Sequence, residues 1–141
     1  MSTTTGSARS PAQTLAMVIG VVFVLVGVAG FFVTGFDDFF GHTDKTLLGF
    51  EINGMHNVVH ILIGVAGLVL ARTLAGARAY GWLLAVGYGA AFLYGLFAVG
   101  EAWDFLSLNW ADNVLHVVTA LVGLVIALLP VRTGVGTGRS R

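Results

Sequence analysis

The sequence predicts an all-α fold, a four-transmembrane-helix bundle made of two helical hairpins in parallel pseudo-repeat. Three observations predict it. Of the 141 residues 57% are hydrophobic and only 10% charged, with a mean hydropathy of +0.91, whereas a soluble domain of this size needs far more polar surface. The apolar residues fall into four runs of about 20, the length that crosses a hydrocarbon core of about 30 Å. An N-x3-N-x2-H motif opens both the second and the fourth run, displaced by 56 residues.

The elements follow in order. Residues 1–14 are rich in Ser, Thr and Gly and are expected to be a disordered cytoplasmic tail. The first span, 15–36, contains no ionisable residue. It is too long for a signal-peptide core, only Arg9 precedes it, and no small-residue cleavage site follows, so a retained helix is expected. A long connection, 37–53, leads to the second span, 54–71. A short basic turn, 72–78, leads to the third, 80–100, and an acidic aromatic loop, 101–110, to the fourth, 111–131, where Pro130 marks the helix end. Residues 132–141 are expected to be a second disordered cytoplasmic tail. The membrane domain, 15–131, uses nearly the whole length and leaves no room for a separate catalytic domain.

Charge orients these spans. All seven acidic residues, Asp37, Asp38, Asp44, Glu51, Glu101, Asp104 and Asp112, fall at the first or third connection or its edge. Arg9, Arg72, Arg78, Arg132, Arg139 and Arg141 fall in the tails or the middle turn, and only Lys45 breaks the pattern. Basic residues are retained on the cytoplasmic side, which places both termini inside and the acidic loops outside a multi-pass cell-membrane protein. Trp103, Trp110, Tyr80, Trp82, Phe39 and Phe40 are expected at the interfaces as an aromatic belt. A net charge of zero argues against nucleic acid as a partner. The bilayer is the expected surrounding, with a homo-oligomer or larger membrane complex open through glycine-rich helix faces.

The repeated motif places Asn53, His56, Asn57, His60, Gly64 and Gly67 in a wedge of about 100° on the second helix. Asn109, Asp112, Asn113, His116, Ala120 and Gly123 draw the same wedge on the fourth. Polar groups facing lipid are costly and small residues permit close approach, so both wedges are expected to face protein. Similarity between the first and third helices does not extend beyond apolar character and scattered glycines.

With no cysteine, unusual chemistry is left to four histidines, a few carboxylates and the tyrosines. His60 and His116 lie about two turns inside their helices, roughly 10 Å from the outer ends. Three readings of this outer-leaflet Asn/His cluster compete. The first is structural: Asn53 and Asn109 cap helices, while Asn57, Asn113 and the histidines hydrogen-bond between helices. The second is a ligand site. His56 and His60 stand i,i+4 on one face, and Asp112 with His116 completes a set suited to Zn²⁺ or Cu²⁺; alternatively His60 and His116 clasp a haem as axial ligands. The third is transport of protons or a small solute, opposed by the absence of ionisable residues in the inner halves of the helices. No nucleophile arrangement or phosphate-binding loop supports an enzyme. His42, in a loop beside acidic residues, is read as solvated. Tyr88, Phe92 and Tyr94 are read as packing residues.

The segment Glu51-Ile-Asn53-Gly-Met-His56-Asn57-Val-Val-His60, with Asn109-Trp-Ala-Asp112-Asn113-Val-Leu-His116 in the second half, resembles the four-helix bacterial membrane family called domain of unknown function 4383. The resemblance runs from about Ala12 to Pro130. It implies a plasma-membrane location and carries over no catalytic residue. The expectation is therefore a non-enzymatic structural or interaction protein, with no firmly implied cofactor.

Overall fold

The computed structural model describes residues 8–130. Four helices, α1 (Pro11–Thr34), α2 (Gly54–Leu70), α3 (Leu74–Ala98) and α4 (Trp110–Leu128), form an up-down bundle. Two short strands, β1 (Thr46–Leu47) and β2 (Phe50–Glu51), pair antiparallel within the first connection, Thr46 opposite Glu51 and Leu47 opposite Phe50.

Helix boundaries depart from expectation where capping residues set the start of the helix. α1 begins at Pro11, so residues 11–14 are helix and not tail. The Ser10 hydroxyl accepts from Gln13 N, the Gln13 side chain returns to the Ser10 backbone, and Pro11 occupies the first helical turn. The remainder of the expected tails, 1–7 and 131–141, lies outside the described residues. α3 begins at Leu74, capped by Thr73, which contracts the middle turn to Ala71–Thr73 and draws Arg78 into the helix. That shift relocates Tyr80. Expected at an interface, it is fully buried almost two turns inside α3, with its ring against Gly67. Trp82, Trp103, Trp110 and Phe40 are exposed.

Connections 35–53 and 99–109 share one end of the bundle, here the loop end, where Thr43 bonds Ser107 and Asn53 bonds Phe105. The opposite, turn end is closed by helix caps drawn from neighbouring elements. The Gln13 amide donates to Ala71 O and Arg72 O beyond α2, and Arg78 donates to Leu129 O beyond α4. At the loop end Lys45 Nζ donates to Thr34 O at 2.8 Å, so the one basic residue among the acidic ones satisfies a terminal carbonyl of α1.

α1 packs mainly on α2 and α3 mainly on α4. These contacts are backbone to backbone. A Cβ on Gly64 would stand 2.6 Å from Val24 N and 2.7 Å from Gly20 O. One on Gly123 would stand 2.6 Å from both Ala85 N and Gly81 O. Glycine is required there because nothing larger permits that approach. Between the hairpins the core is Ala12, Ala16, Ala71, Ala77, Tyr80, Leu84, Tyr88 and Ile126.

The exterior is apolar: Leu25, Phe32, Val86, Phe97, Leu121 and Leu128 are all exposed. α1, α3 and α4 are long and apolar enough to cross a membrane. α2, with 17 residues, is shorter; at about 1.5 Å per residue it covers roughly 25 Å.

Candidate functional site

The sequence-predicted residues gather beneath the loop end in two layers. The upper layer begins with the caps. Asn53 Oδ1 accepts from His56 N at 2.9 Å, and Asn109 Oδ1 accepts from Asp112 N at 3.0 Å, each satisfying a free N–H of a helix start. The amide nitrogens of the same side chains reach further: Asn53 donates to Gly41 O in its own hairpin's connection and across to Phe105 O, and Asn109 donates across to Gly49 O. Each cap therefore also ties the two loop-end connections together. Asp112 completes its capping box, with Oδ2 accepting from Asn109 N at 3.0 Å.

His56 is equally committed. Its Nδ1 lies 3.1 Å from Leu106 O, and since a carbonyl only accepts, Nδ1 carries the proton and donates. Nε2 then faces Asp112 Oδ1 across 4.0 Å, beyond direct hydrogen-bond reach.

Residues to which sequence reasoning assigned no role organise the loop above. Asp104, 1% exposed, accepts from Leu106 N, Leu108 N and the Tyr94 hydroxyl, which in turn accepts from Phe105 N. Ser107, fully buried in a left-handed conformation at φ 52°, accepts from Thr43 N and donates to Thr43 O. The available signal was Asp104 in a short loop, since an Asp side chain bonds backbone groups a few residues on; the Ser107 contact with Thr43 is long-range and has no local signal.

The lower layer is aromatic and largely unspent. The Phe23 and Tyr88 rings stack 5.6 Å apart, with His60 against Phe23 at 5.2 Å and His116 against Tyr88 at 5.5 Å. The His56 and His60 rings meet edge-on at 4.6 Å. His60 Nδ1, His116 Nδ1 and the Tyr88 hydroxyl are buried without a hydrogen-bond partner among the described residues.

The two asparagines inside the helices part company. Asn57 packs on Gly30 and donates to Thr34 Oγ1 at 2.9 Å. Asn113 packs on Gly95 in the same way, yet both of its amide atoms lack a partner among the described residues. Four residues beyond each glycine stands the reason: Thr34 in α1, Val99 after α3.

The structure brings His56, His60, Asp112 and His116 around common space without converging them. Among the described residues no three His, Asp or Glu side chains form a group able to hold a metal ion. The cavity lined by both His60 and His116 measures about 110 Å³. That is less than the roughly 150 Å³ that takes one benzene ring, so a haem does not fit between these imidazoles as they stand. His42 is partly exposed, 3.8 Å from Glu51, apart from the cluster.

An apolar exterior, helices of membrane-crossing length and a polar layer confined to one end define the class, a helical bundle of membrane-span character. The chain belongs to the family described as domain of unknown function (DUF4383), which matches residues 13–129. No curated protein and no solved structure matches it.

Proposed function

We propose that the chain is a non-enzymatic cell-membrane protein of four spans, with both termini cytoplasmic, in which the loop-end Asn/His layer locks two duplicated hairpins into a rigid unit for interaction. The observation that carries this is the double use of Asn53 and Asn109, each capping its own helix while bonding the other hairpin's connection. Both amides of these two side chains are therefore consumed in structure, and in the upper layer Asp112 Oδ1 and His56 Nε2 are left facing each other across 4.0 Å. α2 is short, but α1 and α3 run in the same direction, so the chain has to recross between them. Arg9, Arg72 and Arg78 at the turn end, against Lys45 at the loop end, favour the turn end as cytoplasmic.

Duplication is supported by a second displacement. Placing Gly95 on Gly30 moves α1 onto α3 by 65 residues and superposes Tyr88 on Phe23, Gly81 on Ala16 and Ala77 on Ala12. α2 and α4 differ by 56 residues, so the path from Gly30 to Asn57 is nine residues longer than that from Gly95 to Asn113, enough to hold the β1–β2 hairpin.

Because the chain has no cysteine, single cysteines at Thr5, Arg72 and Glu101 test the topology with a membrane-impermeant maleimide on intact cells. Labelling of Glu101→Cys alone is expected. Labelling of Arg72→Cys without Glu101→Cys would reverse the orientation, and labelling of both would overturn the four-span reading. The locking role predicts that Asn53→Ala and Asn109→Ala lower the thermal midpoint in detergent, and unchanged midpoints would refute it.

A further inference from the structure

The β1–β2 hairpin ends in a conformation that its own sequence resists. Leu48 and Gly49 have φ of 54° and 90°, the two positive values of a type I′ turn, which ordinarily selects Asn-Gly or Asp-Gly. Asp38 and Ser107, the other non-glycine residues with positive φ among the described residues, are short and polar. Leu48 is large and apolar, its side chain gains no hydrogen bond from the turn, and it is 83% exposed. Backbone strain of this kind persists where the surroundings or a function hold it in place.

The hairpin is tied at both ends. Across its base Ile52 N donates to Lys45 O at 2.9 Å, and Lys45 Nζ donates to Thr34 O at the end of α1. At its tip Gly49 O accepts from the Asn109 amide, the cap of α4, at 2.9 Å. These bonds fix the tip over the seam between α1 and α4, where Leu47 and Leu48 stand beside Val22 of α1 and Val118 of α4. Both valines are half-exposed, so the tip is continuous with the apolar exterior of the two helices. Charge is sorted along the hairpin as well: Lys45 and Glu51 stand at its base, and residues 46–50 between them carry none.

We infer that the hairpin tip is a bilayer anchor: Leu48 enters the acyl-chain region of the leaflet at the loop end, beside the α1/α4 seam, while the charged base stays at headgroup level. The inference rests on the four-span reading and not on which side of the membrane the loop end occupies. A tip standing in water would be served by Asn-Gly at no steric cost. A leucine there recovers in hydrocarbon what its left-handed backbone loses. The bilayer is favoured over a soluble partner because the tip borders outward-facing residues of two spans, and those residues already require an apolar surround.

The test places one nitroxide at a time on the full chain in lipid nanodiscs, through Leu48→Cys, with Asp44→Cys and Leu121→Cys as references; the chain has no cysteine of its own. All three positions are exposed, so labelling leaves the core intact. Power-saturation electron paramagnetic resonance compares collisions with oxygen, which concentrates in hydrocarbon, and with water-soluble nickel ethylenediaminediacetate. The oxygen-to-nickel ratio at Leu48→Cys is expected to be several-fold above that at Asp44→Cys and to approach that at Leu121→Cys. A ratio equal to that of Asp44→Cys, with Leu121→Cys still reading hydrocarbon, overturns the anchor and leaves the spans standing. Low collision with both reagents at Leu48→Cys also overturns it, because protein then covers the tip. A Leu121→Cys label that reads water removes the four-span reading and the anchor together.

Discussion

Thr43 and Ser107 exchange two hydrogen bonds across 64 residues of sequence: Thr43 N donates to Ser107 Oγ at 3.0 Å, and Ser107 Oγ donates to Thr43 O at 3.1 Å. The pair is buried, so each group left without its partner would lose a bond that water cannot replace. Ser107→Ala is therefore expected to lower stability by about 1–3 kcal/mol, read as a drop in the detergent unfolding midpoint. A midpoint equal to that of the parent protein would show that this contact does not hold the loops together.

Glycines on the helix contacts and glycines off them should respond oppositely to alanine. Gly64→Ala and Gly123→Ala each drive a methyl into the backbone of the facing helix, and overpacking of that kind costs about 1–3 kcal/mol. A Cβ on Gly87 meets nothing within 4 Å. Gly87→Ala should therefore be neutral or stabilise by up to about 1 kcal/mol through helix propensity. Chemical unfolding of the three variants side by side checks the ranking, and a Gly87 variant as weak as the others would sink it.

Asn113 lacks the hydroxyl that Asn57 receives from Thr34. Val99→Thr places one at the corresponding step after Gly95 and is expected to raise stability by about 1 kcal/mol. Thr34→Val should do the reverse by a similar amount or more, since it strands a buried amide. Equal midpoints for both variants and the parent would break the proposed equivalence of the two hairpins.

Tyr80 is fully buried and its hydroxyl has no partner among the described residues. Tyr80→Phe should consequently leave the midpoint unchanged or raise it, whereas Tyr80→Ala opens a cavity at the hairpin junction and should cost about 3–5 kcal/mol, as large aromatic deletions do. A clear loss in the phenylalanine variant would reveal a bond to the hydroxyl, and hydrogen exchange at that position would locate it.

Several of these features were legible in the sequence because they are local. The asparagine caps of α2 and α4 obey an i to i+3 rule that needs no knowledge of the fold, and the Ser10–Gln13 box obeys the same rule. The inward direction of the Asn/His wedges followed from helical periodicity combined with the cost of polar groups against an apolar surround. Lys45 looked like an exception to the charge pattern, because its partner, Thr34 O, is reached only when the first connection folds back over the end of α1. Tyr80 was misplaced since its burial depends on where α3 starts and on Gly67 lying opposite.

The sequence by itself determined the apolar helices, their caps, the family and the set of polar residues that cannot face an apolar exterior; each of these depends on composition or on neighbours within one helical turn. Only the tertiary structure decided which of those polar residues are spent and which are free. His56 and His60 are one turn apart on the same face, yet one finds Leu106 O and the other finds nothing, and Asn57 differs from Asn113 through a Thr or a Val on another element. A hydrogen bond is short and directional, so its existence turns on where distant segments come to rest, and that is settled by packing the whole bundle.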